Sequence, residues 1–497
     1  MRGPLANPPP APTGCWGRLG TRQGRSTNIP LVLPLRASFL IFLQLPAMNS
    51  SLTIIGGGIT GLAAAYLASQ AGYTVRVVEA QAEMGGLLRT FSPGGAPLEH
   101  FYHHFFTHDA EIHWLVEQLG LQDKLTYHET SMGIFRGGRI YPFDGIGDLL
   151  RFQPLGLMDK LRFGLTSLYL GRKSDWRSAE DVPTLDWMRR WAGKGVAQHI
   201  WGPLMKAKFG PYAEKVPLAW MIGRLGQRLN SRQSGREQLG YLQGSLQVLL
   251  DALLEALNRQ GVELITGQAV RGVQIEEDQL KGIDTTDHHF KGGRFLFTIP
   301  QLYLIPFLQD QAPQLASALS QVEYFHAACT ILALDRPLSH IYWLNIADEN
   351  LPFGGIIEHT NFISPAHYQD QHLVYLSRYY APQEPFAQQT ASEIKDSMIE
   401  GLYKVYPKFN KNWIRKSWIF QTRTAATVCD LNFSDKVPSC RSHIENMYIA
   451  NMSHIYPDER STNNAIRVAA EACKAMGLEI ADVPRNQSLS GQIGFAR

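Results

Sequence analysis

The chain has 497 residues, enough for two domains that each bury a substantial core. Its net charge is only +3 at pH 7 and no basic stripe carries interleaved aromatics, so nothing favours nucleic acid as a partner. Five scattered cysteines (Cys15, Cys329, Cys429, Cys440, Cys473) suggest a reduced, cytoplasmic setting without a disulfide framework, and no Cys/His spacing predicts a metal site.

Residues 1–47 carry five arginines and no acid, and end in the apolar run IPLVLPLRASFLIFLQLPA. Such a leader could be an export or organelle signal, but Arg36 and three prolines interrupt the run and argue against a spanning helix. The reading favoured by composition is a disordered leader, or a true start at Met48.

Residues 48–100 are the most informative. A strand over Leu52–Ile55 leads into Gly56, Gly58 and Gly61, a small-residue helix opens with Ile59 and Thr60, and a second strand over Thr74–Val78 ends at Glu79. In this strand–turn–helix–strand context the glycines form a dinucleotide fingerprint, with pyrophosphate on the helix N-terminus and the acid on a ribose hydroxyl pair. Gly85 and Gly86 then could supply bare backbone beside a bulky group or form a surface turn, and Arg89 could be a cation for phosphate.

Together, TIIGGGITGLAAAYLASQAGYTVRVVEA and EAQAEMGGLLRT resemble the flavin-containing amine oxidase, protoporphyrinogen oxidase and phytoene desaturase superfamily. The resemblance implies an α/β fold: a Rossmann-type FAD-binding domain of the two-dinucleotide-binding-domain kind, with an inserted α+β substrate domain. No Ser-Gly-Gly-Cys-Tyr run of the sort that carries covalent FAD is present, so non-covalent FAD is expected.

In residues 101–235, the first part of the substrate domain, the stretch after Glu99 holds His100, His103, His104 and His108 ahead of a helix over Ala110–Leu119. The resemblance places this stretch near the flavin. His103 and His104 could shuttle protons there, or be packed or surface histidines. Leucines at 157, 161, 165 and 168 have helical spacing in a basic segment, read first as substrate-domain helix and second as a membrane-surface contact. Lys206 and Lys208 could bind an anionic substrate or sit at the solvent edge.

Residues 236–300 read as a leucine-periodic helix, short strands and a strand ending in Thr298-Ile299-Pro300, and the resemblance implies that they return to the FAD domain with the main chain near Val270 at the adenine end. Gly244-Ser245 stands where the resembled family has Gly-Gly. Residues 301–422 complete the substrate domain, and Arg423 is a candidate pocket cation or a structural ion-pair partner. In residues 423–480 a strand over Met447–Ala450, a polar loop and a helix capped by Ser461 or Thr462 form the last FAD segment. The resemblance sets Arg460 and Thr462 beside the flavin ring, and residues 481–497 read as a flexible tail.

The expected activity is removal of hydride from a C–H or C–N bond to flavin N5, with oxygen, a quinone or another acceptor reoxidising the cofactor. The substrate would be a small molecule, lipophilic or anionic. The alternatives are a UDP-galactopyranose-mutase-like enzyme using reduced FAD without net redox, and a non-catalytic FAD-binding protein.

Overall fold

A computed structural model describes residues 51–233, 236–485 and 495. The leader over 1–47 and most of the tail lie outside the described residues. Five parallel strands form one sheet in the order Glu263–Ile265, Thr74–Val78, Ser51–Ile55, Arg294–Phe297, Met447–Ile449. The strands come from widely separated parts of the chain, and all but the edge strand Glu263–Ile265 are mostly buried, as a sheet covered on both faces requires. The fingerprint helix Ile59–Gln70 packs on the sheet with Ala63, Ala64, Ala65 and Ala68 fully buried. These small side chains let it lie against the C-terminal helix Thr462–Ala475, while Leu249, Leu253 and Leu257 of helix Gln247–Arg259 close the same core. The parallel sheet with its crossover helices is the Rossmann-type α/β architecture expected from the sequence.

A second sheet of seven strands runs in the order Ile414–Thr427, Tyr324–Leu334, His372–Tyr380, Gly355–Glu358, Trp343–Ile346, Met132–Arg136, Arg139–Pro142. Every neighbouring pair is antiparallel except Trp343–Ile346 with Met132–Arg136. A cluster of helices between residues 146 and 230 has its own core around Met188, Met205, Phe209 and Ile222. Among the described residues, no helix is long and apolar enough to cross a membrane.

The departure at Gly244-Ser245 has a physical cost. Both residues take positive φ, +92° and +73°, in the turn before helix Gln247–Arg259. A second glycine would adopt that backbone without strain, whereas Ser245 holds it while its Oγ accepts from the Gln247 amide at 3.2 Å.

Candidate active site

The two glycine segments are built against each other. The Gly85 amide donates to the Gly57 carbonyl at 2.7 Å, and a Cβ on Gly86 would lie 3.1 Å from the Gly58 Cα. Gly61 is needed for packing: a Cβ there would sit 2.0 Å from the Gly56 carbonyl oxygen. The Glu79 carboxylate accepts from the amides of Gly57, at 2.7 Å, and Gln81, at 2.9 Å, which fixes it at the mouth of the turn. Arg89 folds back to donate to the Gly86 carbonyl at 3.2 Å.

These residues line one cavity of about 1000 Å³. Gly56, Gly58, Ile59, Thr60, Glu79, Gly85, Gly86, Arg89, Val270, Arg460 and Thr462 all face it, as do His103, His104 and Lys208. Gly61 does not, and its role is the helix–strand approach just described. The C-terminal helix begins at Thr462, capped by the Ser461 hydroxyl, which accepts from the Asn464 amide at 3.1 Å. Asn463 anchors this turn by accepting from the Ile112 amide at 2.9 Å and donating to Glu111, also at 2.9 Å. Bare backbone at Gly58, a helix start without intrahelical acceptors for its first amides and a carboxylate at the end of the second strand together suit a dinucleotide.

The seven-stranded sheet supplies another wall mainly through alternate residues, Trp343 and Asn345, Ser377 and Tyr379, then Phe420, Thr422, Thr424 and Ala426, with Gln421 and Thr427 of the irregular last strand also reaching it. Period-two alternation explains why Arg423 is exposed and outside the cavity although both its neighbours line it. Lys206 is also outside. Two residues along a helix turn a side chain by about 200°, so Lys208 faces inward while Lys206 pairs with Glu349 at the surface, 3.0 Å away. Glu99 is buried away from the cavity, where it accepts from Tyr241 at 2.7 Å and the Leu246 amide at 2.7 Å, a structural role.

Helix Leu218–Asn230 brings Trp220, Arg224, Gln227 and Arg228 to the cavity on one face. Arg228 Nη1 donates to both carboxylate oxygens of Glu237, at 2.8 and 2.6 Å, while Arg224 and Lys208 share Glu459. Arg460 contacts the Tyr379 hydroxyl and lies over its ring, 5.4 Å from the centroid. Arg224, Arg228, Arg460 and Lys208 thus face Glu237 and Glu459, while Asp458 on the same wall pairs with Arg467 at 2.9 Å, which leaves an excess of positive charge at this end of the cavity. Burial, reinforced by Arg224, holds Lys208 well below the usual lysine range, so an arriving anion would stabilise its charged form. Sequence reading missed Arg224 and Arg228; the available signal was two arginines four apart in an otherwise apolar helix.

Burial, with Arg460 adding to it, pulls His103 down to about 4; burial and then Arg228 pull His104 to about 3. Both imidazoles are therefore neutral at pH 7, which corrects the expectation of groups titrating near neutrality. His103 Nδ1 lies 2.6 Å from the Phe101 carbonyl oxygen, an acceptor only, so Nδ1 carries the proton and Nε2 the lone pair. Among the described residues, no group of three or more His, Cys, Asp or Glu side chains could hold a metal ion.

The sequence profile of flavin containing amine oxidoreductases matches residues 59–475. Coproporphyrinogen III oxidase of Propionibacterium freudenreichii subsp. freudenreichii is 25% identical over 361 residues, which is 59% of this chain and 64% of that protein. Protoporphyrinogen oxidase of Bos taurus is 26% identical over 313 residues, 55% of this chain and 65% of the other. Each match spans just under two thirds of the relative's length. Among solved structures, reduced UDP-galactopyranose mutase superposes with a TM-score of 0.68 at 14% identity, covering 89% of this chain and 98% of the mutase, a likeness of fold.

Proposed function

The chain belongs to the family of flavin-containing amine oxidoreductases, and from that membership we propose that it is an FAD-dependent oxidoreductase acting on a lipophilic, anionic small molecule at a C–H or C–N bond. FAD is the cofactor, held non-covalently in this reading. Residues 48–100, 236–300 and 423–480 form its binding part, and residues 101–235 and 301–422 the substrate part. The observation that carries the proposal is one continuous cavity, which joins the glycine cradle to an aromatic compartment with excess positive charge.

Bound FAD supplies the oxidant, a two-electron acceptor for hydrogen removed from a neighbouring carbon. Everything else falls to the chain. The fingerprint amides and Arg89 would hold the phosphates, Glu79 a ribose, and Val270 would contact the adenine end. Lys208, Arg224 and Arg228 orient an acidic group of the substrate, and Tyr102, Trp343 and Phe420 exclude water from its apolar body. His103 Nε2, neutral at working pH, is the available proton acceptor among the cavity histidines.

The test is anaerobic mixing of the purified, FAD-loaded protein with coproporphyrinogen III and protoporphyrinogen, the molecules named for two relatives, and with smaller amines. Bleaching of the oxidised flavin band by a carboxylated substrate and not by simple amines is the expected result. No bleaching by any of them, with turnover of a sugar nucleotide only after prior reduction, would replace this reading with the mutase-like one.

Arg460 and the start of the C-terminal helix are proposed to stabilise negative charge on the reduced ring. Arg460→Glu should lower the flavin midpoint potential by an amount on the order of 1 kcal/mol at equal FAD occupancy. Spectroelectrochemical titration measures it, and a potential that stays put or rises would place this loop away from the ring.

A further inference from the structure

Of the twelve large hydrophobic side chains that remain exposed among the described residues, eight lie between positions 146 and 169: Ile146, Leu150, Leu157, Met158, Leu161, Leu165, Leu168 and Tyr169. We propose that the face formed by helices Ile146–Arg151 and Leu157–Arg172 docks on an anionic lipid surface.

Helix Leu157–Arg172 is apolar on two sides. Phe163 and Leu170 turn toward the protein, where the helix packs on Leu218–Asn230, and Leu157, Leu161, Leu165 and Leu168 turn away from it. Ordinary packing accounts for the first side only. Leu157 at 78% exposure and Ile146 at 77% mark the second as a surface without a partner among the described residues. The Lys160 ammonium bonds the Leu150 carbonyl at 2.6 Å and so ties the two helices together, which merges their apolar side chains into one patch. Tyr169 stacks on Trp187, and Trp191 beside it is 55% exposed, adding the amphipathic rings suited to a headgroup boundary.

Charge selects the occupant. Residues 139–173 contain six basic and three acidic side chains, a net charge equal to the +3 of the entire chain. Lys160 and Arg162 flank the apolar stripe, and Arg151 and Arg172 stand at the helix ends. A second copy meeting this patch by two-fold symmetry would bring like charges together. An anionic lipid surface takes up the apolar stripe and the flanking cations at once. On the inner side of the same helix Phe163 stacks on Trp201, ring centroids 5.9 Å apart, and Trp201 is part of the cavity wall.

The experiment is co-flotation of the full-length, FAD-loaded protein with vesicles of phosphatidylcholine alone and of phosphatidylcholine mixed with phosphatidylglycerol, over a series of salt concentrations. Binding to the mixed vesicles that weakens with salt is expected. The triple variant Leu157→Gln/Leu161→Gln/Leu165→Gln should partition roughly a hundredfold or more weakly while retaining FAD. Arg162→Glu/Arg172→Glu, which leaves the apolar stripe intact, should lose the preference for phosphatidylglycerol and serves if the triple variant misfolds. Absence of wild-type binding, binding that both variants leave unchanged, or a dimer in sedimentation that the triple variant dissociates would each overturn the proposal. None of these readouts depends on which substrate the flavin oxidises.

Discussion

Gly58→Val should fold as a colourless protein. Gly58 has φ −77° and ψ 174°, a backbone open to any residue, and a Cβ placed there meets no atom within 4 Å. Neither conformation nor packing of the polypeptide therefore calls for glycine at this position. What calls for it is the cavity, into which a valine side chain would project where the pyrophosphate must approach the helix start. Purified Gly58→Val should hold less than about a tenth of the wild-type FAD and unfold at the temperature of wild-type apoprotein, lacking only the ligand's contribution. Gly61→Ala is the contrasting variant, because its Cβ would lie 2.0 Å from a carbonyl oxygen and must disturb the fold itself. FAD content and melting temperature, measured on both variants and on stripped wild type, separate the two outcomes. Wild-type FAD content in Gly58→Val would show that the pyrophosphate lies elsewhere.

The contrast between these glycines also shows what could be read from the sequence. The fingerprint was legible because its determinants are local: strand, turn and helix follow one another within about thirty residues, and each glycine's position in that order implies its surroundings. The C-terminal helix was legible for the same reason, with a capping serine directly before its first turn. The substrate end was not. Lys206 and Lys208 look equivalent in the sequence, as do Thr422, Arg423 and Thr424, and helical or strand periodicity fixes only which of them share a face. Which face meets the cavity is decided by the packing of Gly202–Phe209 and of strand Ile414–Thr427 against distant parts of the chain. Arg224 and Arg228 were overlooked because their carboxylate partners, Glu459 and Glu237, are brought to them by tertiary structure alone. The histidine run misled in a different way, since composition suggested groups poised near neutrality and burial removed that property from His103 and His104.

The second large effect concerns the buried pair at the cavity wall. Arg228→Met should destabilise the protein by about 3–5 kcal/mol, because it strips the Glu237 carboxylate, 8% exposed, of the guanidinium that contacts both its oxygens and leaves it the Ser231 hydroxyl at 3.0 Å. The pH dependence gives a sharper signature than the magnitude. In the wild type, desolvation would raise the Glu237 pKa, but the charge and hydrogen bond of Arg228, helped by His104 and the Ser231 hydroxyl, together hold the group below the ordinary carboxylate value. A carboxylate depressed in the folded state contributes stability that is present above its unfolded pKa and is lost as pH falls through the folded one. Without Arg228 the desolvation effect prevails and the sign reverses: the folded state now binds the proton more tightly than the unfolded chain, so the deficit should shrink as pH falls from 7 toward 5. Glu237→Gln on the Arg228→Met background removes the stranded charge and should recover much of the loss at pH 7 while flattening its pH dependence. Urea unfolding of the apoproteins at several pH values, with m-values compared, measures all three. A deficit in Arg228→Met that stays constant between pH 7 and pH 5, or a double variant no more stable than the single one, would mean that solvent or another cation already satisfies Glu237 and that the pair contributes little to holding this wall in place.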